Sequence, residues 1–457
     1  MNRQERRLQQ KLAARGAAPP PVDTLTPLLQ RMSTAYRAGQ RAEALALARE
    51  AIRRAPRRAD VLGFAGMVAL DEGQAEEAAR HYRAALALRP DWADAAHALG
   101  SALERMGDRD GAAAAYRKAA ALAPDYAPAC AALGNLMLQT GDAAAATDAY
   151  RRAVALAPDS AELRRNLGIA IERAGDKAEA IACYRGAARL RPEWPLPWTN
   201  LATLAVEAGD GALGLEACER WLQLSPGNTE AIAYKAISHY ERGEPGKARE
   251  LIDFDRFVRL FHVPAPPGFA DAAAFNRALV DHVLAHPSLK VPPVDHPTYH
   301  CPTLMVSDEL LAEPKGPMAA LETAMNQAVA DYIGALPAEG AHPFLARRPR
   351  QWRLTSWSAV LVGEGALSPH IHLDGYLSGV YYPQIPQEVL DSAAQEGWFE
   401  LGRPPREFRC RAEPDTRAIR PELGLMLLFP AFMYHRTIPF RSSERRISIA
   451  FDVIPVE

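Results

Sequence analysis

Along the first half of the chain, small and apolar positions return in a register of 34 residues. Glycine recurs at Gly66, Gly100, Gly134 and Gly168, alanine at Ala78, Ala112, Ala146 and Ala180, and tyrosine at Tyr82, Tyr116, Tyr150 and Tyr184. A second glycine series (Gly39, Gly73, Gly107, Gly141, Gly175, Gly209, Gly243) halves each unit, and Pro56, Pro90, Pro124, Pro158, Pro192 and Pro226 close it. Glycine permits a tight turn and proline cannot continue a helix, so each unit predicts a helix, a turn, a second helix and a stop. The small residues mark close helix approach, and the tyrosines are expected to fill gaps between neighbouring units. Six good units run from about Leu25 to Asn228. A seventh, from about Thr229, keeps Gly243 and Ala248 but has Asp255 and Leu260 where a small residue and the proline belong, which reads as a capping unit.

After Asp255 the register is lost. The segment from His262 to Gly268 holds three prolines and predicts a hinge. Helical stretches follow at Asp271 to Leu284 and Pro317 to Leu336, around a Pro/His-rich segment from Val291 to Pro302. The pattern then changes to short apolar or alternating runs: Trp352 to Val362, Leu377 to Pro383, Trp398 to Leu401, Leu423 to Phe429 and Arg446 to Ile454. Short strands at such spacing predict a β-sandwich or barrel rather than a parallel α/β sheet. The expected domains are therefore a basic tail at 1–24, repeats at 25–260, a hinge at 261–268 and a strand-rich domain at 269–457.

Composition narrows the function classes. Of 457 residues, 53 Lys+Arg face 55 Asp+Glu for a net charge of −2, which argues against a chain that holds nucleic acid by its phosphates. Arg3, Arg6, Arg7, Lys11 and Arg15 make the first 18 residues basic, but no apolar core follows, so a secretory signal is not expected. Cys130, Cys183, Cys218, Cys301 and Cys410 are scattered and never form a C-x-x-C pair, so a reducing, cytoplasmic setting is expected. No run reaches the roughly 18 apolar residues of a membrane span.

The candidate chemistry lies in the strand-rich part. His370, His372 and Asp374 alternate in Ser368-Pro-His-Ile-His-Leu-Asp-Gly, and alternate side chains of an extended chain share a face. His435 stands 61 residues beyond Asp374 among apolar and aromatic neighbours. His-x-Asp with a remote His is the pattern of a facial triad that holds non-haem Fe(II) and leaves open positions, and no cysteine biases the site toward zinc. Asp374 is the preferred third ligand because a carboxylate holds a divalent ion electrostatically; His370 is the alternative. Arg446 and Ser448 face one way in the last predicted strand, a guanidinium and hydroxyl able to clamp a carboxylate.

Two resemblances give these patterns a family. The 34-residue unit resembles the tetratricopeptide repeat. That resemblance implies an all-α superhelix with a concave groove for a protein or peptide, and Asn135, Arg165, Asn166 and Asn200 are candidate groove residues. The segment from about Phe269 looks like the 2-oxoglutarate/Fe(II)-dependent oxygenases. It is most similar to a bacterial and phage branch with H-x-H-x-x-x-x-L-S-G-V-Y-Y and F-P…H…R-x-S motifs. This implies a double-stranded β-helix of jelly-roll type with flanking helices, and Fe(II), 2-oxoglutarate and O2 as cofactor and cosubstrates. By the same resemblance His372, Asp374 and His435 are the iron ligands, Arg446 partners the distal carboxylate of 2-oxoglutarate, and Ser448, Tyr382 and Ser378 line its pocket. The implied reaction is hydroxylation coupled to oxidative decarboxylation of 2-oxoglutarate to succinate and CO2. The substrate is either a protein or peptide presented by the repeats, or a small molecule with the repeats docking a partner; a third reading is a scaffold whose oxygenase-like domain is inert or senses 2-oxoglutarate.

Overall fold

The computed structural model describes residues 25–293, 301, 303–337, 340–408 and 410–456. The basic tail at 1–24 and two of the histidines in the Pro/His-rich segment, His296 and His300, lie outside the described residues. The described chain forms two compact units that meet between Cys183 and Tyr184.

The first unit is a series of paired helices, from Leu25–Arg37 with Arg41–Arg54 through Ala161–Arg173 with the start of Lys177–Leu190. Each pair turns on a glycine in the left-handed region, for example Gly107 at φ 80° and Gly141 at φ 84°. The aspartate after that glycine caps the next helix: Asp108 accepts from the Gly111 amide at 2.9 Å and Asp142 from the Ala145 amide at 3.0 Å. The tyrosines pack within their own repeats and can also reach the next, as Asn166 of the following repeat hydrogen-bonds the Tyr150 hydroxyl. Tyr82, Tyr116 and Tyr150 lie over the glycine of their own repeat's first helix, so that a Cβ on Gly100 would stand 2.5 Å from the Tyr116 ring and one on Gly134 2.8 Å from Tyr150. Arginines also link successive repeats: Arg105 and Arg173 donate to the Leu70 and Leu138 carbonyls at the ends of the preceding first helices, at 2.6 and 3.1 Å.

The second unit joins the last repeats to an antiparallel β domain. Its strands are β1 (Arg259–His262), β2 (Leu304–Val306), β3 (Gln351–His370), β4 (Leu377–Gln384), β5 (Phe399–Leu401), β6 (Arg417–Ile419), β7 (Leu425–Pro430) and β8 (His435–Val456). They run in the order β1-β7-β4-β8-β3-β2, with β5 paired to β8 and β6 to β5. The long strands β3 and β8 pair from Gln351↔Val456 to His370↔His435, with register shifts between Leu361 and Gly363 and again before His370. Beyond those shifts β8 exchanges its other neighbour, β4 along residues 447–453 for β5 along 435–437, which is how two strands serve both layers of a double-stranded β-helix. Helices Ala272–Ala285 and Met318–Ala335 flank the sheet, close to the expected ranges.

The hinge expectation needs correction. Residues 259–262 form β1 and pair with β7 from Arg259↔Leu428 to His262↔Leu425, so the chain enters the sheet before the prolines begin. The capping repeat, Thr229–Glu241 with the short helix Pro245–Leu251, is also part of the β domain's body. Ile232, Ala236, Tyr240, Leu251 and Phe257 belong to the same buried cluster as Tyr376, Leu401 and Phe451. Polar contacts reinforce that joint: Thr229 donates to the Gly375 carbonyl at 3.3 Å, Tyr240 to Asp415 at 3.0 Å, and the Arg411 amide to Glu241 at 2.8 Å. The incomplete seventh repeat meets a protein face there, where a regular repeat would have offered its apolar edge to an eighth.

Candidate metal centre

Strand pairing brings the histidines together. His370 ends β3 directly opposite His435, which begins β8. Beyond His370 the chain leaves the sheet, and the His372 amide donates to the Ala431 carbonyl at 3.2 Å. The ring centroids are 4.3 Å apart for His370 and His435, 5.0 Å for His372 and His435, and 5.2 Å for His370 and His372. One ring nitrogen from each lies within 4.8 Å of the other two, a spacing that can hold one metal ion.

Asp374, the preferred sequence candidate, is not brought into this group. Alternation holds only along an extended strand, but β3 stops at His370 and the following residues bend away, leaving Asp374 exposed. The alternative, His370, takes its place in the cluster.

Each imidazole is oriented by a partner on Nδ1. His370 Nδ1 is 2.8 Å from the Ser368 carbonyl and His435 Nδ1 is 3.1 Å from the Met433 carbonyl. A carbonyl only accepts, so both Nδ1 atoms carry the hydrogen and both Nε2 lone pairs are free to ligate. His372 Nδ1 is 2.6 Å from Asp452 Oδ1, and Ser378 donates to the same oxygen at 2.7 Å. Burial, and then the neighbouring His372, pulls the His370 pKa down to about 4, and burial holds His435 well below the ordinary histidine value. Neutral imidazoles are the form that binds metal. Phe399 and Phe429 pack on His435, with ring centroids at 5.5 and 4.8 Å, and Trp357 lies 5.4 Å from His372.

The same pocket contains the candidate carboxylate clamp: His370, His372, His435, Ser378, Tyr382, Arg446 and Ser448 all line it. Arg446 is 1% exposed, donates Nε–H to the Gly397 carbonyl at 3.1 Å, and has no partner for Nη1. The Tyr382 hydroxyl is likewise buried without a partner, and its ring centroid is 5.3 Å from the guanidinium carbon. Burial pushes the tyrosine pKa up to about 12 against the opposing pull of Arg446. A buried guanidinium and a buried hydroxyl with unspent hydrogens can be met by an anion, since leaving such groups unmet costs several kcal/mol by order of magnitude. Ser448 also lines the pocket, 3.5 Å from the Ala359 carbonyl. Ser378 lines the pocket as expected, and its hydroxyl donates to Asp452 at 2.7 Å and lies 3.1 Å from His372 Nδ1.

Asp452, which contacts His372 and Ser378, was not singled out from sequence. The signal was there, because Arg446, Ser448, Ala450 and Asp452 occupy alternate positions of one strand and so share a face. In the repeats, Asn135 and Asn166 line one groove with Glu104, Tyr116, Tyr150 and Arg173. Tyr150 donates to the Asn135 side-chain oxygen, so that amide is partly engaged within the fold. Arg165 does not line that groove, and Asn200 falls in the second unit.

Comparison with known proteins agrees with both halves of this description. Residues 355–452 match the family described as "Putative 2OG-Fe(II) oxygenase", a family that implies Fe(II), 2-oxoglutarate and O2. Residues 66–107, 93–126 and 131–195 match tetratricopeptide repeat families. The chain thus joins tetratricopeptide repeats to a domain of the 2OG-Fe(II) oxygenase family. No curated protein matches it. Among solved structures it is similar to the MamA protein, at 23% identity over 37% of this chain and 93% of that one, with a TM-score of 0.36. It is also similar to YrrB, described as a TPR protein with an unusual peptide-binding site, at 19% identity over 41% and 97% with a TM-score of 0.37. A tetratricopeptide repeat protein from Parabacteroides merdae ATCC 43184 matches at 16% identity over 50% and 90%, with a TM-score of 0.39. Among the described residues, no helix is long and apolar enough to cross a membrane.

Proposed function

We propose that the C-terminal domain is an Fe(II)- and 2-oxoglutarate-dependent oxygenase whose metal ligands are His370, His372 and His435, and that the repeats recruit its protein or peptide substrate. The observation that carries the reading is one pocket with two complementary unsatisfied sets. Three imidazoles there each offer a ring nitrogen, and Arg446 and Tyr382 have buried hydrogens without partners. The donor set suits a borderline divalent ion, and the clamp suits the far carboxylate of a dicarboxylate. Bound together, Fe(II), 2-oxoglutarate and O2 would supply the oxidising power to hydroxylate an unactivated C–H bond.

The chain's own contribution is positioning and exclusion. The Ser368 and Met433 carbonyls and Asp452 hold the three rings in their ligating tautomer. Arg446, fixed by Gly397, offers its remaining hydrogens to the cosubstrate carboxylate, with Tyr382 and Ser448 beside it. Ala359, Val380, Phe399 and Phe429 form an apolar lining that limits water around a reactive centre. Trp357, half-buried beside His372, faces the same pocket and is positioned to meet substrate. The repeat groove at Asn135 and Asn166 provides amide and hydroxyl groups of the kind that meet a peptide backbone.

The test is anaerobic addition of Fe(II) and 2-oxoglutarate to the full chain, watching for the visible charge-transfer band of the chelate. The band is expected in wild type and absent in His435→Ala; its absence in wild type would defeat the proposal. Succinate release on admitting O2, stimulated by a peptide that binds the repeats, would then separate a protein substrate from a small-molecule one.

A further inference from the structure

A site of three imidazoles lacks the negative charge that a carboxylate ligand provides, and the nearest carboxylate in the metal-binding loop, Asp374, is exposed and outside the cluster. A different carboxylate is built in behind the ligands. Asp452 is 9% exposed, on β8, directly opposite Ser378 of β4 in the strand register. Its Oδ1 receives the His372 Nδ1 hydrogen at 2.6 Å and the Ser378 hydroxyl at 2.7 Å, and the Ser378 oxygen is itself 3.1 Å from His372 Nδ1. His372 is the one ligand candidate that lies outside a strand, so backbone pairing alone does not fix its ring as it fixes the positions of His370 and His435.

We propose that Asp452 is a positioning carboxylate for the metal centre. With Ser378 locking its oxygen, it sets the tautomer and plane of His372, makes that imidazole a stronger donor, and supplies from behind the ligands the negative charge that the three-histidine set lacks. The physical basis is general: a histidine ligand whose second nitrogen hydrogen-bonds a carboxylate is oriented and more basic, and losing such a partner costs on the order of 10- to 100-fold in metal affinity. Placed behind the ring, the charge leaves the open coordination positions free for cosubstrate and oxygen. This inference rests on the reading of His370, His372 and His435 as the ligands.

The experiment is an anaerobic titration of the full-length protein with Co(II) as the probe, recording affinity by calorimetry and geometry by the visible Co(II) bands. Wild type, Asp452→Asn, Asp452→Ala, Asp452→Glu, Ser378→Ala and His435→Ala are compared, with the melting temperature of each metal-free protein. Asp452→Asn, which keeps the shape and an accepting oxygen but not the charge, is expected to weaken Co(II) binding on the order of 10-fold and shift the bands. Asp452→Ala is expected to weaken it toward 100-fold, and Asp452→Glu to recover part of the loss. The metal-free melting temperature of Asp452→Asn is expected to stay near wild type, which separates metal positioning from a purely structural role. Wild-type affinity and bands in both Asp452→Asn and Asp452→Ala overturn the role of Asp452. An affinity loss matched by an equal loss of metal-free stability in Asp452→Asn also overturns it. Failure of wild type to bind Co(II), or unchanged binding in His435→Ala, overturns the three-histidine reading instead.

Discussion

A single turn of chain decides which side chains meet at the centre. His370, His372 and Asp374 are evenly spaced, yet the strand that would align them ends at the first, and only the two histidines reach His435. The expected consequence is a ranking: His370→Ala lowers divalent-metal affinity by at least 10-fold, whereas Asp374→Ala leaves it within about twofold, as read by competition with a chromophoric chelator. The opposite ranking would restore His-x-Asp as the ligand pair. Arg446 gives a second prediction. Under the proposed function its partnerless Nη1 meets the cosubstrate carboxylate, so Arg446→Ala is expected to weaken 2-oxoglutarate binding on the order of 10- to 100-fold while metal affinity stays near wild type. Equilibrium binding of 2-oxoglutarate to the metal-loaded protein checks it, and an unchanged affinity would remove Arg446 from the cosubstrate site.

Elements show the same dependence on their neighbours. The repeats were legible because every unit restates its turn, its close approach and its stop, so a local rule is confirmed several times over. Where the rule is strictest, substitution is costly: Gly134→Ala puts a methyl 2.8 Å from the Tyr150 ring and is expected to destabilise the first unit by about 1 to 3 kcal/mol. Denaturant unfolding followed by circular dichroism measures it, and a change below about 0.5 kcal/mol would mean that the ring moves aside freely. Strands were less legible. Leu377 to Pro383 and Leu423 to Phe429 showed as apolar runs because β4 and β7 are buried on both faces. β1, β2 and β6 did not show, since each spans only three or four residues and depends on hydrogen bonds to distant strands. β3 and β8 proved longer than their apolar runs, because their far halves carry polar residues at bulged pairings where the strands pass between layers.

At the scale of the whole molecule, the change of sequence pattern near residue 260 and the division of the structure near residue 183 mark different things. The first is where the repeat rule stops being spelled. The second is where the contacts divide, and within the C-terminal unit the last repeat shares a core with the β domain from Ile232 on, through Tyr240, Phe257 and the β1 pairing. A fragment starting at Phe269 therefore lacks β1 and the cap, and is expected to melt lower and expose β7 amides to hydrogen exchange, while a fragment starting at Tyr184 retains its fold. Equal stability of the two fragments would show the cap to be dispensable. Metal binding should respect the same division. Saturation at 100 times the dissociation constant adds about 2.7 kcal/mol to the unit that binds it, so calorimetry is expected to show one transition raised and the transition of the first unit unmoved.

What the sequence determined by itself was whatever is local and repeated: the 34-residue unit, the turns and stops that delimit it, the alternation that puts Arg446 and Ser448 on one face, and the motif that names the oxygenase family. Those features follow from backbone conformation and period, which a few neighbouring residues set. The tertiary structure alone decided which histidines converge, that Asp374 stays outside, that Asp452 and Ser378 stand behind His372, and that the last repeat belongs to the β domain. Each of these depends on pairings between residues 65 to 175 positions apart, between His370 and His435 and between Tyr240 and Asp415 for instance. Strand register and core packing carry that information, and no short window of the chain does.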